Sequence, residues 1–262
     1  MSGIVEGKVI IVTGAGRGLG ASMAQDLAEN GALVVVGDVN KDGANEVAAA
    51  IRDAGGQALS VGVDVSDRAA VKSMIAETVK AFGRLDVLFN NAGISQTCPF
   101  MEVTEEDFNR IVKINTLGVL IGTQEAAKQF IAQGNGGKVI NTASIAGKQG
   151  WPDYAHYCVS KFGVVSLTQS AARSLASHKI TVNCFAPGVV ATELWKALDD
   201  DARRYGVTKN PDDLINSFTQ NILLGRAALP DDLVGVTRFL ASDAASYITG
   251  QTIMVDGGMV LI

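Results

Sequence analysis

KVIIVTGAGRGLG, Lys8–Gly20, sets the reading of the whole chain. The apolar, β-branched run Lys8–Thr13 reads as a strand, and the glycine loop Thr13–Gly20 leads directly into a helical stretch. A second strand-like run, LVVVGD, then ends in Asp38. Strand, glycine loop, helix, strand and terminal carboxylate form the pattern of a dinucleotide-binding βαβ unit. In that pattern Gly14 allows a sharp turn, Gly18 lets a pyrophosphate approach the backbone, and Gly20 lets helix and strand pack closely. The free N–H groups of the helix start face the phosphates. The plain alternative is glycines that merely serve a tight turn.

Asp38 falls where the adenosine ribose lies in such a unit. Its carboxylate accepts hydrogen bonds from both ribose hydroxyls and repels a 2′-phosphate, by on the order of 4 kcal/mol at ~4 Å in an intermediate dielectric. Arg17, inside the glycine loop, pulls the other way by offering a cation to that phosphate. Val39 follows Asp38 where a second basic residue would be needed, so the expected cofactor is NAD rather than NADP.

Outward from this unit, strand-like runs alternate with helical stretches to the end of the chain. The further strands are Ala58–Val63, Val87–Asn90, Lys138–Ala143, Ile180–Ala186 and Thr252–Asp256. Most are near-continuous apolar runs, as in a parallel sheet covered on both faces. Amphipathic stretches such as ASMAQDLAENG and AAVKSMIAETVKAFG lie between them, several stopping at Gly31, Gly55 or Gly83. The expected fold is α/β: one doubly wound Rossmann-type domain over residues 1–262, with a seven-stranded parallel sheet flanked by helices. Gly188–Asp212 shows no clear period and reads as one long irregular piece, part of a substrate lid at about 188–225.

Bulk properties narrow the function classes. A net charge of −5 and the lack of a basic run argue against a nucleic-acid partner. Three widely spaced cysteines and two histidines make a metal site improbable and read as buried, reduced thiols. The N-terminus lacks a charged leader and a cleavage site, and no apolar stretch reaches ~18 residues. No membrane partner and a cytoplasmic location are expected.

Chemistry is carried by DYAHYCVSKFG, Asp153–Gly163. Tyr157 and Lys161 are four apart, one helical turn on the same face. Tyr154 is about 10 Å from that lysine along a helix and follows Trp151-Pro152, at or before the helix start. Only Tyr157 keeps an ammonium close to its phenol oxygen. A neighbouring cation favours the phenolate and moves its pKa down from the ordinary value near 10. Taken alone, such a pair is also ordinary surface packing. Ser144, just past the fifth strand in NTASIAG, lies on the same rim; its hydroxyl either holds a substrate oxygen or caps a turn. Asp64 and Val65 follow the third strand near the expected adenine edge, where Asp64 also reads as a helix cap. Asn90-Asn91-Ala92-Gly93 follows the fourth, where ligands sit beyond strand ends, although the turn also reads as simple loop chemistry.

Along essentially its whole length the chain resembles the short-chain dehydrogenase/reductase family. TGAGRGLG matches the cofactor loop, NNAG the turn after the fourth strand, and Ser144 with Y157CVSK161 the catalytic set. Pro187-Gly188 followed by Thr192 matches the segment that closes over the nicotinamide. The resemblance implies that Ser144, Tyr157 and Lys161 are joined by Asn115, which shapes a helix whose backbone carbonyl binds a relay water. It also implies that Lys161 bonds the nicotinamide ribose. The implied cofactor set adds Leu19, Asn91, Ala92, Gly93 and Val190 to Gly14, Arg17, Gly18, Gly20, Asp38, Asp64 and Val65.

The pocket wall is expected near Ser95, Gln96, Gln149, Trp151, Leu194 and Trp195, either tryptophan alternatively packing in the core. APGVVATELWKALDDD resembles the lid of acetoin reductases, 2,3-butanediol dehydrogenases and sugar-alcohol dehydrogenases within the family. The implied substrate is a small polyol or vicinal diol, oxidised to its ketone. An NADP-dependent 3-oxoacyl-type carbonyl reductase is the rival, weakened by Asp38 and the acidic balance. A non-catalytic NAD-binding scaffold needs no intact Ser–Tyr–Lys set. A dehalogenase-like relative is expected to lose Gly14, Gly18, Gly20 and Lys161. Members of this type commonly form homotetramers through two long helices, here Glu105–Gln133 and Ala155–Ser177, and a C-terminal segment, here ending in the apolar MVLI.

Overall fold

The computed structural model describes residues 3–261. In chain order the elements are β1 Val9–Thr13, α1 Gly18–Glu29, β2 Leu33–Asp38, α2 Lys41–Asp53, β3 Gln57–Gly62 and α3 Arg68–Phe82. They continue with β4 Val87–Asn90, α4 Glu105–Val112, α5 Gly118–Gln133, β5 Gly137–Thr142, α6 Ala155–Leu175 and β6 Ile180–Pro187. The segment expected to be a lid holds α7 Glu193–Arg204 and α8 Asp213–Thr219, and α9 Asp231–Ala241 and β7 Thr252–Val255 follow. Each strand lies within one residue of the bounds its sequence suggests.

The strands form one seven-stranded sheet, ordered β3-β2-β1-β4-β5-β6-β7, and each pair is parallel. Alternation explains the continuous apolar runs. Ile10 and Val12 face one core with Met23 and Leu27 of α1, while Ile11 between them faces a second core with Met74 of α3 and Phe130 of α5. The order reverses where β1 pairs with both β2 and β4, which opens a crevice beyond their carboxyl ends. No helix among the described residues is long and apolar enough to cross a membrane.

Two expectations need correction. Gly188–Asp212 is not irregular throughout, because α7 occupies Glu193–Arg204. That helix buries only Leu198, Asp199 and Ala202. The spacing Leu194, Leu198, Ala202 does carry a helical period, which the charged run Asp199–Asp201 obscures in the sequence. Glu105–Gln133 is not one uniform helix either: a π-helical turn, Lys113–Leu117, separates α4 from α5. Of the apolar C-terminus, Val260 is buried and Leu261 exposed, while Ile262 lies outside the described residues.

Candidate active site

A cleft of about 1100 Å3 runs along the carboxyl edge of the sheet. Its first part is the glycine loop. Gly14 has φ +64°, and a Cβ there would stand 2.7 Å from Cα of Ala92. A Cβ on Gly20 would stand 2.1 Å from the Gly14 carbonyl oxygen. Gly18 is different: a Cβ there would meet nothing nearer than Thr192 at 3.7 Å, so the backbone is bare toward the cleft. A turn, a close helix–strand contact and an open approach are the features a pyrophosphate cradle requires. Asn91 shapes the loop from β4, its Nδ2 donating to the carbonyls of Thr13 at 2.9 Å and Gly14 at 3.2 Å.

Asp38 stands at the end of β2, its carboxylate accepting from the Gly16 N–H and the Asn40 N–H, both at 2.9 Å. Two backbone donors from different loops thereby fix its position at the cleft wall. Arg17 is exposed and also lines the cleft, with Leu19 beside it. Asp64 and Val65 line the same end. Asp64 does not cap α3, a role taken by Asp67, whose side chain accepts from Ala69 N–H. Asp64 instead accepts from the backbone and hydroxyl of Ser66, which hold its carboxyl below the usual range. Ala92 and Gly93 line the middle of the cleft, and Pro187, Gly188, Val190 and Thr192 its roof.

The reactive end brings Ser144, Tyr157 and Lys161 to one wall. Ser144 caps a short 3-10 turn through Ala146 N–H at 3.2 Å and is buried, so it is both a cap and a cleft residue. Tyr157 lies on the first turn of α6, and Lys161 follows one turn on. The Lys161 ammonium donates to the Thr142 carbonyl at 2.7 Å and stands 5.6 Å from the Tyr157 ring centroid. Burial pushes the Tyr157 phenol up to about 12, against the smaller opposing pull of Ser144. Burial also brings Lys161 down to about 8. In the chain alone, burial therefore outweighs any lowering of the phenol by the lysine. Desolvation drives both toward their neutral forms, and the ammonium faces a carbonyl and the ring.

Tyr154 lies outside this pair. It ends a 3-10 turn before α6 and shares a 2.8 Å hydrogen bond with Thr97, and burial raises its pKa. Asn115 sits in the π-helical turn, buried behind the cleft rather than lining it. Its amide pairs with Ile94 on both sides, Nδ2 donating to the carbonyl and Oδ1 accepting from the N–H, each at 2.8 Å. Nδ2 also donates to Ser160 Oγ at 3.0 Å. From within the break between α4 and α5, one side chain thus ties the loop after β4 to α6.

The substrate wall departs further from expectation. Trp151, Leu194, Trp195 and Ser95 line the cleft, but Gln149 is exposed and does not. Gln96 turns inward, where Arg110 donates to its Oε1 at 2.9 Å. The residue missed is Phe218 of α8, whose ring centroid lies 5.3 Å from Trp151, 5.9 Å from Tyr154 and 5.5 Å from Trp195. Its one signal in the sequence is the helical spacing Leu214–Phe218 in a polar stretch. Behind this wall lies a second cavity of about 360 Å3, sharing Trp151, Tyr154 and Phe218 with the cleft.

Fold and site together define a Rossmann-type α/β protein with a dinucleotide cradle beside a serine–tyrosine–lysine wall. A family model described as enoyl-(acyl carrier protein) reductase matches residues 14–260. L-2,3-butanediol dehydrogenase of Corynebacterium glutamicum is 41% identical, over 96% of this chain and 98% of the relative. Galactitol 2-dehydrogenase of Agrobacterium fabrum is 39% identical, over 96% of each. A short-chain type dehydrogenase/reductase of Mycobacterium marinum superposes with a TM-score of 0.89 at 35% identity, over 98% of this chain and 97% of that one. The chain belongs to the short-chain dehydrogenase/reductase family.

Proposed function

We propose that the protein is an NAD-dependent dehydrogenase that interconverts a secondary alcohol, in a vicinal diol or small polyol, and its ketone. The observation that carries this reading is the convergence of Ser144, Tyr157 and Lys161 on one wall of the cleft that also holds the glycine loop and Asp38. A diol substrate for one relative and a hexitol for another fit that class.

Gly14, Arg17, Gly18, Leu19 and Gly20 would hold the pyrophosphate, with Asp38 on the adenosine ribose and Asp64 and Val65 at the adenine. Asn91, Ala92, Gly93, Pro187, Gly188, Val190 and Thr192 would border the nicotinamide half. The bound dinucleotide supplies a hydride acceptor, or in reverse a donor. Ser144 and Tyr157 grip the substrate oxygen, so charge developing there meets donors already in place. Tyr157 moves the proton. Its raised pKa keeps the phenol protonated, the form ketone reduction needs, while efficient transfer in either direction requires a pKa nearer the working pH. For alcohol oxidation a positive charge must be placed beside the phenol to make it a base. Lys161 would also bond the nicotinamide ribose, and Asn115 would keep the π-helical turn open to the relay water. The catalytic unit is the whole chain as one domain, with residues of about 188–225 as its lid. A cytoplasmic homotetramer is the assembly this reading carries.

Diols, polyols and hydroxyketones assayed with NAD and NADP at the reduced-cofactor absorbance test the proposal. Turnover with NAD on a vicinal diol or polyol is expected. Tyr157→Phe is expected to bind NAD nearly normally and to lose most turnover, on the order of a thousandfold. A preference for NADP, or near-normal rates in that variant, overturns the assignment.

A further inference from the structure

We infer that Asp199 is a positioning residue for the substrate wall: from α7 it supplies the N-terminal cap that α8 lacks, and thereby sets the place of Phe218. This rests on the dehydrogenase reading above. The start of α8 is unusual. Asp212, at the cap position, has φ +65° and ψ 0°, and its side chain caps nothing. The next carboxylate, Asp213, turns back to accept from the N–H groups of Lys209 and Asn210 at 3.3 and 2.8 Å. The bond a cap residue would normally give to the first turn comes instead from another helix. Asp199 Oδ1 accepts the Leu214 N–H at 3.3 Å, while Oδ2 accepts Arg203 Nε at 3.2 Å.

Asp199 is 6% exposed and does not line the cleft, although its neighbours Leu198 and Asp200 do. It therefore acts through what it holds. Leu214 is buried, and Phe218 lies one turn further along α8, against Trp151 and against Trp195 of α7 itself. One buried carboxylate fixes the angle between the two lid helices and the distance between two of the rings that face the substrate. A carboxylate so placed, with each oxygen accepting a donor, loses far more when one partner is removed than an exposed pair would. The dinucleotide end of the cleft shares none of these contacts.

The test uses the full-length enzyme and its best alcohol from the panel. Asp199→Ala is expected to raise KM for the alcohol about tenfold, with kcat within about twofold and KM for NAD unchanged. Asp199→Asn keeps an acceptor oxygen for the Leu214 N–H and is expected to fall between the two. An unchanged alcohol KM in Asp199→Ala, or equal losses toward alcohol and NAD, overturns the inference. If Asp199→Ala does not fold, hydrogen exchange on Asp199→Asn decides. Amides of residues 214–218 should exchange severalfold faster than in the unmodified enzyme, those of residues 14–20 at the same rate; unchanged protection at 214–218 overturns the tie. Absence of turnover in the unmodified enzyme on every alcohol removes the activity reading instead, and the exchange experiment still decides whether Asp199 holds α8.

Discussion

Burial decides the charge state of the two residues at the reactive wall, and it leaves a signature in stability against pH. Lys161 titrates at about 8 in the folded protein and at an ordinary lysine value of 10.5 when unfolded. Between those values the unfolded chain binds the extra proton, so stability rises with pH across that window. Below pH 8 the full penalty of the buried ammonium applies, on the order of 3 kcal/mol. Tyr157 works the other way, holding its proton in the folded state up to about 12 and so lowering stability above pH 10. Urea titrations at pH 7, 8, 9 and 10 should show the native chain gaining on Lys161→Met as pH rises. Parallel curves for the two proteins would show that the burial cost has been misplaced. On the proposed reading Asp38 acts on cofactor selectivity. Asp38→Ser removes the repulsion of a 2′-phosphate, so the ratio of kcat/KM for NAD over NADP should fall by at least about tenfold. A ratio that does not move would assign the preference to another residue.

Among the elements, the expected lid would carry the specificity on the proposed reading. Phe218→Ala removes the ring between the cleft and the 360 Å3 cavity behind it. The alcohol KM for a four-carbon diol should rise severalfold while longer polyols lose less or improve, a change of about 1–2 kcal/mol in relative kcat/KM. Equal losses across chain lengths would mean the two cavities stay separate. The lid is also where the sequence is least readable. The strands are written plainly, because Ile10, Ile11 and Val12 are buried from both sides and each must be apolar. The glycine loop is equally plain, since Gly14 and Gly20 admit no side chain. On α7 the helical spacing Leu194, Leu198, Ala202 is present but short, and the acidic run Asp199–Asp201 hides it among charges. Gln149 and Gln96 look like pocket residues by position, yet one points to solvent and the other to Arg110. Direction at a loop is set by partners from distant elements, which local spacing does not encode. Asn115 shows the same limit: the residue was legible by family likeness, but its double pairing with Ile94 follows only from the fold.

For the whole molecule, apolar side chains remain uncovered on the two helices expected to meet a second copy. Phe108 of α4 and Ile131 of α5 are 38% and 43% exposed, and Val159 and Phe162 of α6 are 50% and 46% exposed. Light scattering should return about four times the 27.3 kDa chain mass. Val159→Glu combined with Phe162→Glu should give a smaller species with the far-ultraviolet dichroism unchanged. A native chain that scatters as a monomer would leave those side chains without a covering partner.

The amide of Asn91 that grips the Thr13 and Gly14 carbonyls sets an order of events during synthesis. The nucleotide cradle is written in the first twenty residues, but the clamp that gives it shape leaves the ribosome some seventy residues later, at roughly 5–20 residues per second. A nascent chain that stops after β3 carries the recognition glycines without the clamp that holds them. On the proposed reading, a cofactor would find its cradle clamped only once β4 has paired with β1.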